Sequence, residues 1–168
     1  MPKMPKMPKK QPKENQQTSP QNQQQQGHPT QGSPPPGSKP TPQNIYDYLR
    51  SKGISDTHAK GIIGNIDRES SFNPDAIGDN GTSGGLFQMH ADRFDHMVRD
   101  VPDWKNNWQG QIDHAMKTDV APQYLNRNFG SPGEAAKWFE VNYERPAQWV
   151  REQNSPNTYA QRLRRVGL

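Results

Sequence analysis

The chain of 168 residues is long enough for one domain, and it contains no cysteine, which excludes a disulfide framework and thiolate metal sites. Its charge is uneven: residues 1–43 contain six lysines and one glutamate (+5), whereas residues 44–168 contain 15 basic and 16 acidic residues (−1). Nucleic-acid binding is therefore not expected of residues 44–168. No run reaches the ~20 apolar residues of a membrane span, and no apolar N-terminal segment predicts a Sec signal peptide.

Residues 1–43 have the composition of a disordered leader. They are rich in proline and glutamine, and no apolar side chain occurs between Met7 and Ile45. Such a segment cannot bury enough apolar surface to offset the conformational entropy lost on folding. The threefold Met-Pro-Lys repeat at its start has two interpretations, a basic tether for an anionic partner or a solubilising leader.

The predicted domain, residues 44–168, begins with two helices. The first covers Ile45–Lys52 and ends at Gly53, and Ser55 or Asp56 can cap the second. The apolar residues of the second helix recur at the i, i+3, i+4, i+7 spacing of one buried face: Ala59, Ile62, Ile63 and Ile66. Glu69 continues that face, so we expect its carboxyl group to be largely buried.

Burial gives Glu69 a chemical interpretation. A carboxylate on a buried face is costly unless it is paired or protonated, and burial raises its pKa. A carboxyl group that stays protonated near neutral pH is suited to general acid catalysis. After Asn73-Pro74 ends the helix, the chain enters a loop whose glycines allow close approach to a ligand: Gly78, Gly81, Gly84 and Gly85.

The rest of the chain predicts a mainly α-helical fold with at most a small β-hairpin, which would lie within Ala76–Phe87. Apolar periodicity and Ser-Pro start signals place five further helices. They cover about Asp92–Arg99, Lys105–Lys117, Ala121–Asn126, Pro132–Tyr143 and a last helix from Pro156 that turns Tyr159, Leu163 and Val166 inward.

Two linked motifs resemble a known family. The segments ESSFNPDA (Glu69 to Ala76) and GTSGGLFQ (Gly81 to Gln88) resemble the paired signature of lysozyme-like lytic transglycosylases. Within that superfamily, the preceding Gly64-Asn65-Ile66 and the following His90 and Arg93 are most similar to the phage tail lysozyme domain. Met89 stands where that group has an aromatic residue. The resemblance covers residues 44–166.

The resemblance implies cleavage of the β-1,4 bond between N-acetylmuramic acid and N-acetylglucosamine in peptidoglycan, with Glu69 as the acid. It implies glycan contacts from the loop and from a late Tyr-Glu-Arg-Pro segment, in which Tyr143 could hydrogen-bond Glu69. The expected substrate-binding residues are Ser83, Gly85, Gln88, His90, Tyr143 and Glu144. It also implies a phage or prophage protein, associated with the virion or held in the host cytoplasm before release, whose leader could contact virion or tail proteins.

Hydrolysis would require a second carboxylate, for which Asp79 is the first candidate and Asp75 the second. If neither serves, the lytic transglycosylase route remains, in which one glutamate acts as acid and then as base. No cofactor is implied, and the spacing of His90, Asp92 and His96 matches no standard zinc motif. Two alternatives stay open on the same fold: a peptide-stem endopeptidase, and a non-catalytic wall-binding or virion structural module.

Overall fold

The structure is a computed structural model, and it describes residues 38–168. The first helix begins at Pro42, with Thr41 as its N-cap, so regular structure starts two residues before the predicted domain boundary. Residues 1–37 of the predicted disordered leader lie outside the described residues. The division into a leader and a domain therefore stays a prediction.

Helices dominate the described residues. In chain order the α-helices are α1 (Pro42–Ser51), α2 (Asp56–Ser70), α3 (Asp92–Asp100), α4 (Trp108–Met116), α5 (Ala121–Leu125), α6 (Pro132–Phe139), α7 (Gln148–Gln153) and α8 (Pro156–Arg165). Short 3-10 turns cover Asp79–Gly81 and Trp104–Asn106, and a π-helical turn covers Glu140–Glu144. None of the helices within residues 38–168 has the length and apolarity needed to span a membrane.

Helix α2 is the centre of the fold, because α1, α6 and α8 all pack against it. Its predicted apolar face is fully buried. A methyl group added at Gly61 would lie 2.9 Å from Ala135 Cβ and 3.0 Å from the backbone nitrogen of Ala136. The glycine therefore permits close contact between α2 and α6, which holds the end of α2 in a fixed position.

A small antiparallel sheet follows α2. Its strands are β1 (Ile77–Gly78), β2 (Ser83–Gly84) and β3 (Met89–His90), in the order β1-β2-β3. Gly78 is paired with Ser83, and Ser83 with His90. The mainly helical fold with little sheet is confirmed, but β3 extends the sheet beyond the predicted hairpin because the chain folds back once more after Gln88.

A buried amide fixes the base of this loop. The side chain of Gln111 on α4 accepts a 2.8 Å hydrogen bond from the Leu86 N–H. It also donates to the carbonyl oxygens of Pro74 and Trp104, at 2.8 and 2.6 Å. One side chain therefore joins both ends of the glycine-rich loop to the helical core.

Two differences from the predicted helices concern the region after α6. The predicted helix to Tyr143 changes at Glu140 into a π-helical turn, which ends at Arg145 in the left-handed conformation (φ 51°). Helix α7 was not predicted, and no residue of it is fully buried, so it has no apolar face that a pattern could reveal. Both differences alter the residues that surround the candidate site.

Candidate active site

A cleft of about 740 Å³ lies between the C-terminal end of α2, the small sheet and the segment that follows the π-helical turn. Its lining includes six of the nine predicted site residues. The full set is Arg68, Glu69, Gly78, Asp79, Asn80, Thr82, Ser83, Gln88, His90, Glu144, Arg145, Pro146, Ala147 and Val150. We call Arg68, Glu69 and Glu144 the helix wall, and Asp79, Ser83, Gln88 and His90 the loop wall.

Glu69 lies in the last turn of α2, and its side chain is 17% exposed, so it is largely buried but can still contact a ligand in the cleft. The helix stops at once because Ser71 and Phe72 adopt positive φ angles of 50° and 64°. Burial raises the pKa of Glu69 above its ordinary value, against the opposing effect of Arg68. The charges of Glu140 and Asp79 raise it further.

Arg68 was missed by the sequence analysis, although it directly precedes Glu69. Its Nη2 lies 2.6 Å from Glu69 Oε1, and its Nε donates a 2.9 Å hydrogen bond to the Tyr159 hydroxyl group. Burial lowers its pKa, but Glu69, Tyr159 and Glu144 raise it, with a net increase. A cation next to a carboxylate on a buried face is a signal that the sequence contained.

Glu144 is brought to the cleft by the π-helical turn. Its Oε1 is buried, and no hydrogen-bonding group within residues 38–168 reaches that atom. Burial raises the pKa of this carboxyl group well above the ordinary value, and the charge on Glu69 raises it further. Arg68 and Arg93 oppose this increase. The predicted place of Glu144 beside the cleft is therefore observed, in a more buried setting than a sugar contact requires.

Tyr143 lies elsewhere than predicted. Its side chain is fully buried in the core, where it stacks on Phe139 with 4.4 Å between ring centroids. Its hydroxyl group is 3.3 Å from Thr118 Oγ1, and the Arg93 guanidinium lies 4.4 Å from its ring centroid. Burial raises its pKa to about 12. The predicted contact with Glu69 is absent, because the π-helical turn directs Tyr143 into the core.

The loop wall contains a cluster of three polar side chains. Ser83 Oγ donates a 2.6 Å hydrogen bond to Asp79 Oδ2. His90 Nδ1 lies 3.0 Å from Ser83 Oγ and 3.6 Å from Asp79 Oδ2. In a nucleophilic triad the imidazole lies between hydroxyl and carboxylate; here the hydroxyl group bonds the carboxylate directly. The cluster therefore orients Asp79 and His90 and does not activate Ser83.

The other predicted loop residues have different positions. Gln88 lines the cleft, and its amide donates to the carbonyl oxygens of Ala76 and Gly85, at 3.0 and 2.9 Å. Gly85 is buried at a φ of +85° and is not part of the lining. Asp75 is exposed and also lies outside the lining, so the structure places Asp79 and not Asp75 opposite Glu69.

Within the described part of the chain, no three histidine, aspartate or glutamate side chains converge on a position that could hold a metal ion. Of the predicted histidine and aspartate set, only His90 lines the cleft, since His96 lines a separate cavity of about 180 Å³ behind β3. The chemistry available in the cleft is thus that of carboxyl, guanidinium, imidazole, hydroxyl and amide groups.

The family is established by comparison with known proteins. The model of the phage tail lysozyme family matches residues 40–165, which include α1 to α8 and both walls of the cleft. A search of curated proteins found no match. The chain belongs to the phage tail lysozyme family and is, in general terms, a phage peptidoglycan hydrolase.

Proposed function

We propose that this domain cleaves the β-1,4 bond between N-acetylmuramic acid and N-acetylglucosamine, with Glu69 as the general acid. The observation that carries the proposal is a single carboxyl group, largely buried at a helix end, that still opens into a cleft of about 740 Å³. Its raised pKa favours retention of the proton that the leaving oxygen needs.

The proposed reaction begins when Glu69 protonates the glycosidic oxygen as the C–O bond breaks, which leaves positive charge on the sugar ring. General acid catalysis of this kind typically contributes about 10²–10⁴ in rate. Helix α2 supports this role because its packing against α6 limits movement of the carboxyl group. A fixed donor loses little orientational freedom in the transition state.

The fate of the sugar cation depends on Asp79. If Asp79 activates water or attacks the sugar, the reaction is a hydrolysis; its bond from Ser83 Oγ supports a fixed orientation. If Asp79 does not participate, the 6-hydroxyl group of the sugar attacks and yields a 1,6-anhydro product, with Glu69 as the base. Asp75 is not proposed, since it lies outside the cleft lining.

Glycan binding is assigned to the loop wall. Ser83, Gln88 and His90 line the cleft and offer the hydroxyl, amide and imidazole groups that can exchange hydrogen bonds with sugar hydroxyl and acetamido groups. Gly85 contributes to loop shape, and Tyr143 to the core behind the helix wall. These assignments separate residues that touch the glycan from residues that hold the site.

We further propose that the protein is associated with the virion and opens the host wall locally, with the predicted leader as a tether to tail proteins. Release from the cytoplasm at lysis is the competing possibility. Deletion of residues 1–37 retains the Thr41 cap of α1. We expect the truncated protein to clear purified peptidoglycan normally but to be missing from particles; incorporation at the normal level would refute the tether.

The test of the catalytic proposal is turbidity clearing of purified peptidoglycan by the wild type and by Glu69→Gln, with the soluble products identified by mass. The substitution keeps the shape and removes the proton, so we expect a loss of at least about 10²-fold. Glu152→Gln, at an exposed position of α7, is the matched control. A Glu69→Gln variant that clears as fast as the wild type would contradict the proposal.

The products distinguish the routes. Reducing ends would indicate hydrolysis, and 1,6-anhydro ends would indicate transglycosylation. Cleaved peptide stems with intact glycan strands would instead support an endopeptidase. If the wild type binds sacculi and never clears them, a wall-binding or structural module replaces the enzymatic proposal.

A further inference from the structure

We propose that Glu144 is a positioning residue that shares one proton with Glu69, so that Glu69 retains its acid form at a pH where a lone glutamate would lose it. This inference rests on the proposed role of Glu69 as general acid. Three observations on the same turn carry it: the cleft position of Glu144, its unpartnered buried oxygen, and the π-helical geometry that places it there.

The π-helical turn is the local cause of the arrangement. A π-turn within a helix is energetically unfavourable in isolation and is often found at functional sites. Here the turn directs Tyr143 into the core and the next residue, Glu144, to the cleft. A continuous α-helix would rotate these side chains to different directions. The turn therefore has a definite result, a second carboxyl group on the helix wall.

The setting of Glu144 is that of a carboxyl group that ionises with difficulty. A buried oxygen without a hydrogen-bonding partner is rare in folded proteins, and an ionised carboxylate there is costly. The other buried atom of this kind beside the turn is Arg93 Nη2, while Nη1 of the same guanidinium donates a 2.9 Å bond to the Tyr143 carbonyl oxygen. A cation is thus held near Glu144 and can balance one negative charge.

The surroundings explain why one proton is shared. The groups that act on the two carboxyls are cations on α2 and α3 and carboxylates on the π-helical turn and the loop: Arg68, Arg93, Glu140 and Asp79. Each carboxyl group of the pair also raises the proton affinity of the other once it is ionised. Interacting carboxyls lose their protons in two steps that belong to the pair and not to either residue.

The proton balance of the reaction follows. In the reactive form the pair holds one proton on Glu69 and one negative charge on Glu144. When Glu69 gives its proton to the leaving oxygen, both groups are ionised and are balanced by Arg68 and Arg93. The proton returns to Glu69 from water or from the 6-hydroxyl group of the sugar. No oxidant, reductant or further reactant is needed.

The test compares the pH dependence of kcat/KM for wild type, Glu144→Gln and Glu152→Gln, with Glu69→Gln measured alongside. Removal of a neighbouring negative charge favours ionisation of Glu69, so we expect the alkaline limb of Glu144→Gln to move by about one pH unit or more to lower pH. Glu152→Gln should retain the wild-type profile. An unchanged limb in Glu144→Gln overturns the proposal, whatever happens to the maximal rate.

Thermal stability provides a second readout. Because the pKa of Glu144 is raised in the folded state, the folded protein keeps a proton that the unfolded chain has lost above its ordinary value of 4.5. Stability attributable to this group therefore falls as the pH rises through that interval. The Tm of Glu144→Gln relative to wild type should increase from pH 5 to pH 9. A constant difference contradicts the assignment.

A measurement on the unsubstituted protein avoids dependence on how the variant folds. In the wild type labelled with carbon-13 at glutamate carboxyl groups, two signals should each show two titration steps. Independent single steps overturn the sharing of a proton. An active Glu69→Gln variant refutes the proposed function and this inference together; an inactive Glu69→Gln with an unshifted Glu144→Gln refutes this inference alone.

Discussion

The two walls of the cleft hold similar chemical groups in opposite environments. On the helix wall, Glu69 is 17% exposed and Glu144 has a buried, unpartnered oxygen. On the loop wall, the side chains of Asp79 and His90 are 68% and 63% exposed. Where two carboxyl groups face one cleft, environment assigns their roles. The helix wall is therefore suited to proton transfer, and the loop wall to binding and to support of an ionised carboxylate.

The walls also differ in what supports them. Behind the helix wall, the fully buried Glu140 accepts a 2.8 Å bond from Lys137 Nζ and a 2.9 Å bond from Asn154 Nδ2. Behind the loop wall, neutral amides perform this task, since Gln88 and Gln111 bond loop carbonyl and N–H groups. Removal of support should thus have very different costs on the two sides.

The largest expected effect comes from Glu140→Ala. Lys137 Nζ also donates to the carbonyl oxygens of Arg151 and Asn154, so this substitution leaves a partly buried cation without its carboxylate. Loss of one member of a buried pair costs roughly 3–5 kcal/mol. We expect a loss near the lower value, about 3 kcal/mol, in the free energy of unfolding measured with urea.

The matched control is Glu152→Ala, at an exposed glutamate whose side chain bonds only Gln148 among the described residues. Exposed substitutions usually stay within about 0.5 kcal/mol. If both variants unfold at the same urea concentration, the charged network does not support the helix wall, and the contrast between the two walls is lost.

The next largest effect is expected from Asp79→Asn. If Asp79 is the second carboxylate, loss of its charge should lower kcat by about 10²-fold, or about 2.7 kcal/mol in activation free energy. Asp75→Asn is the comparison, because Asp75 lies four residues earlier and outside the cleft lining. It should retain the wild-type rate. Equal rates for both variants, with 1,6-anhydro products, would assign all of the chemistry to the helix wall.

Much of the helix wall could be predicted from sequence because its signal is local. The apolar face of α2 recurs with the helical period, and its four predicted residues are fully buried. The same period placed Glu69 at the edge of that face. The mainly helical fold followed for similar reasons, as the Ser131 and Ser155 caps and the prolines after them start α6 and α8 as predicted.

The other parts could not be predicted because they depend on departures from regular periods. A π-helical turn changes which residues face the core, so a period of 3.6 assigns Tyr143 and Glu144 to the wrong directions. The cluster of Asp79, Ser83 and His90 depends on strand pairing across the small sheet. Helix α7 has no buried face, and without such a face the pattern gives no signal.

The smallest expected effect concerns Trp149, which lies on α7 between the two lining residues Ala147 and Val150. Its side chain is 65% exposed, whereas Trp104 and Trp108 are buried. An indole ring beside the cleft offers an apolar surface to the face of a sugar. We expect Trp149→Ala to raise KM about 3- to 10-fold, with kcat unchanged, because such a contact binds ground state and transition state alike. Trp149→Phe should lie between the two. Since the ring has little packing to lose, the unfolding free energy should change by less than about 0.5 kcal/mol. A fall in kcat without a change in KM would instead show that α7 acts on the chemistry of the helix wall, through its bonds to Lys137.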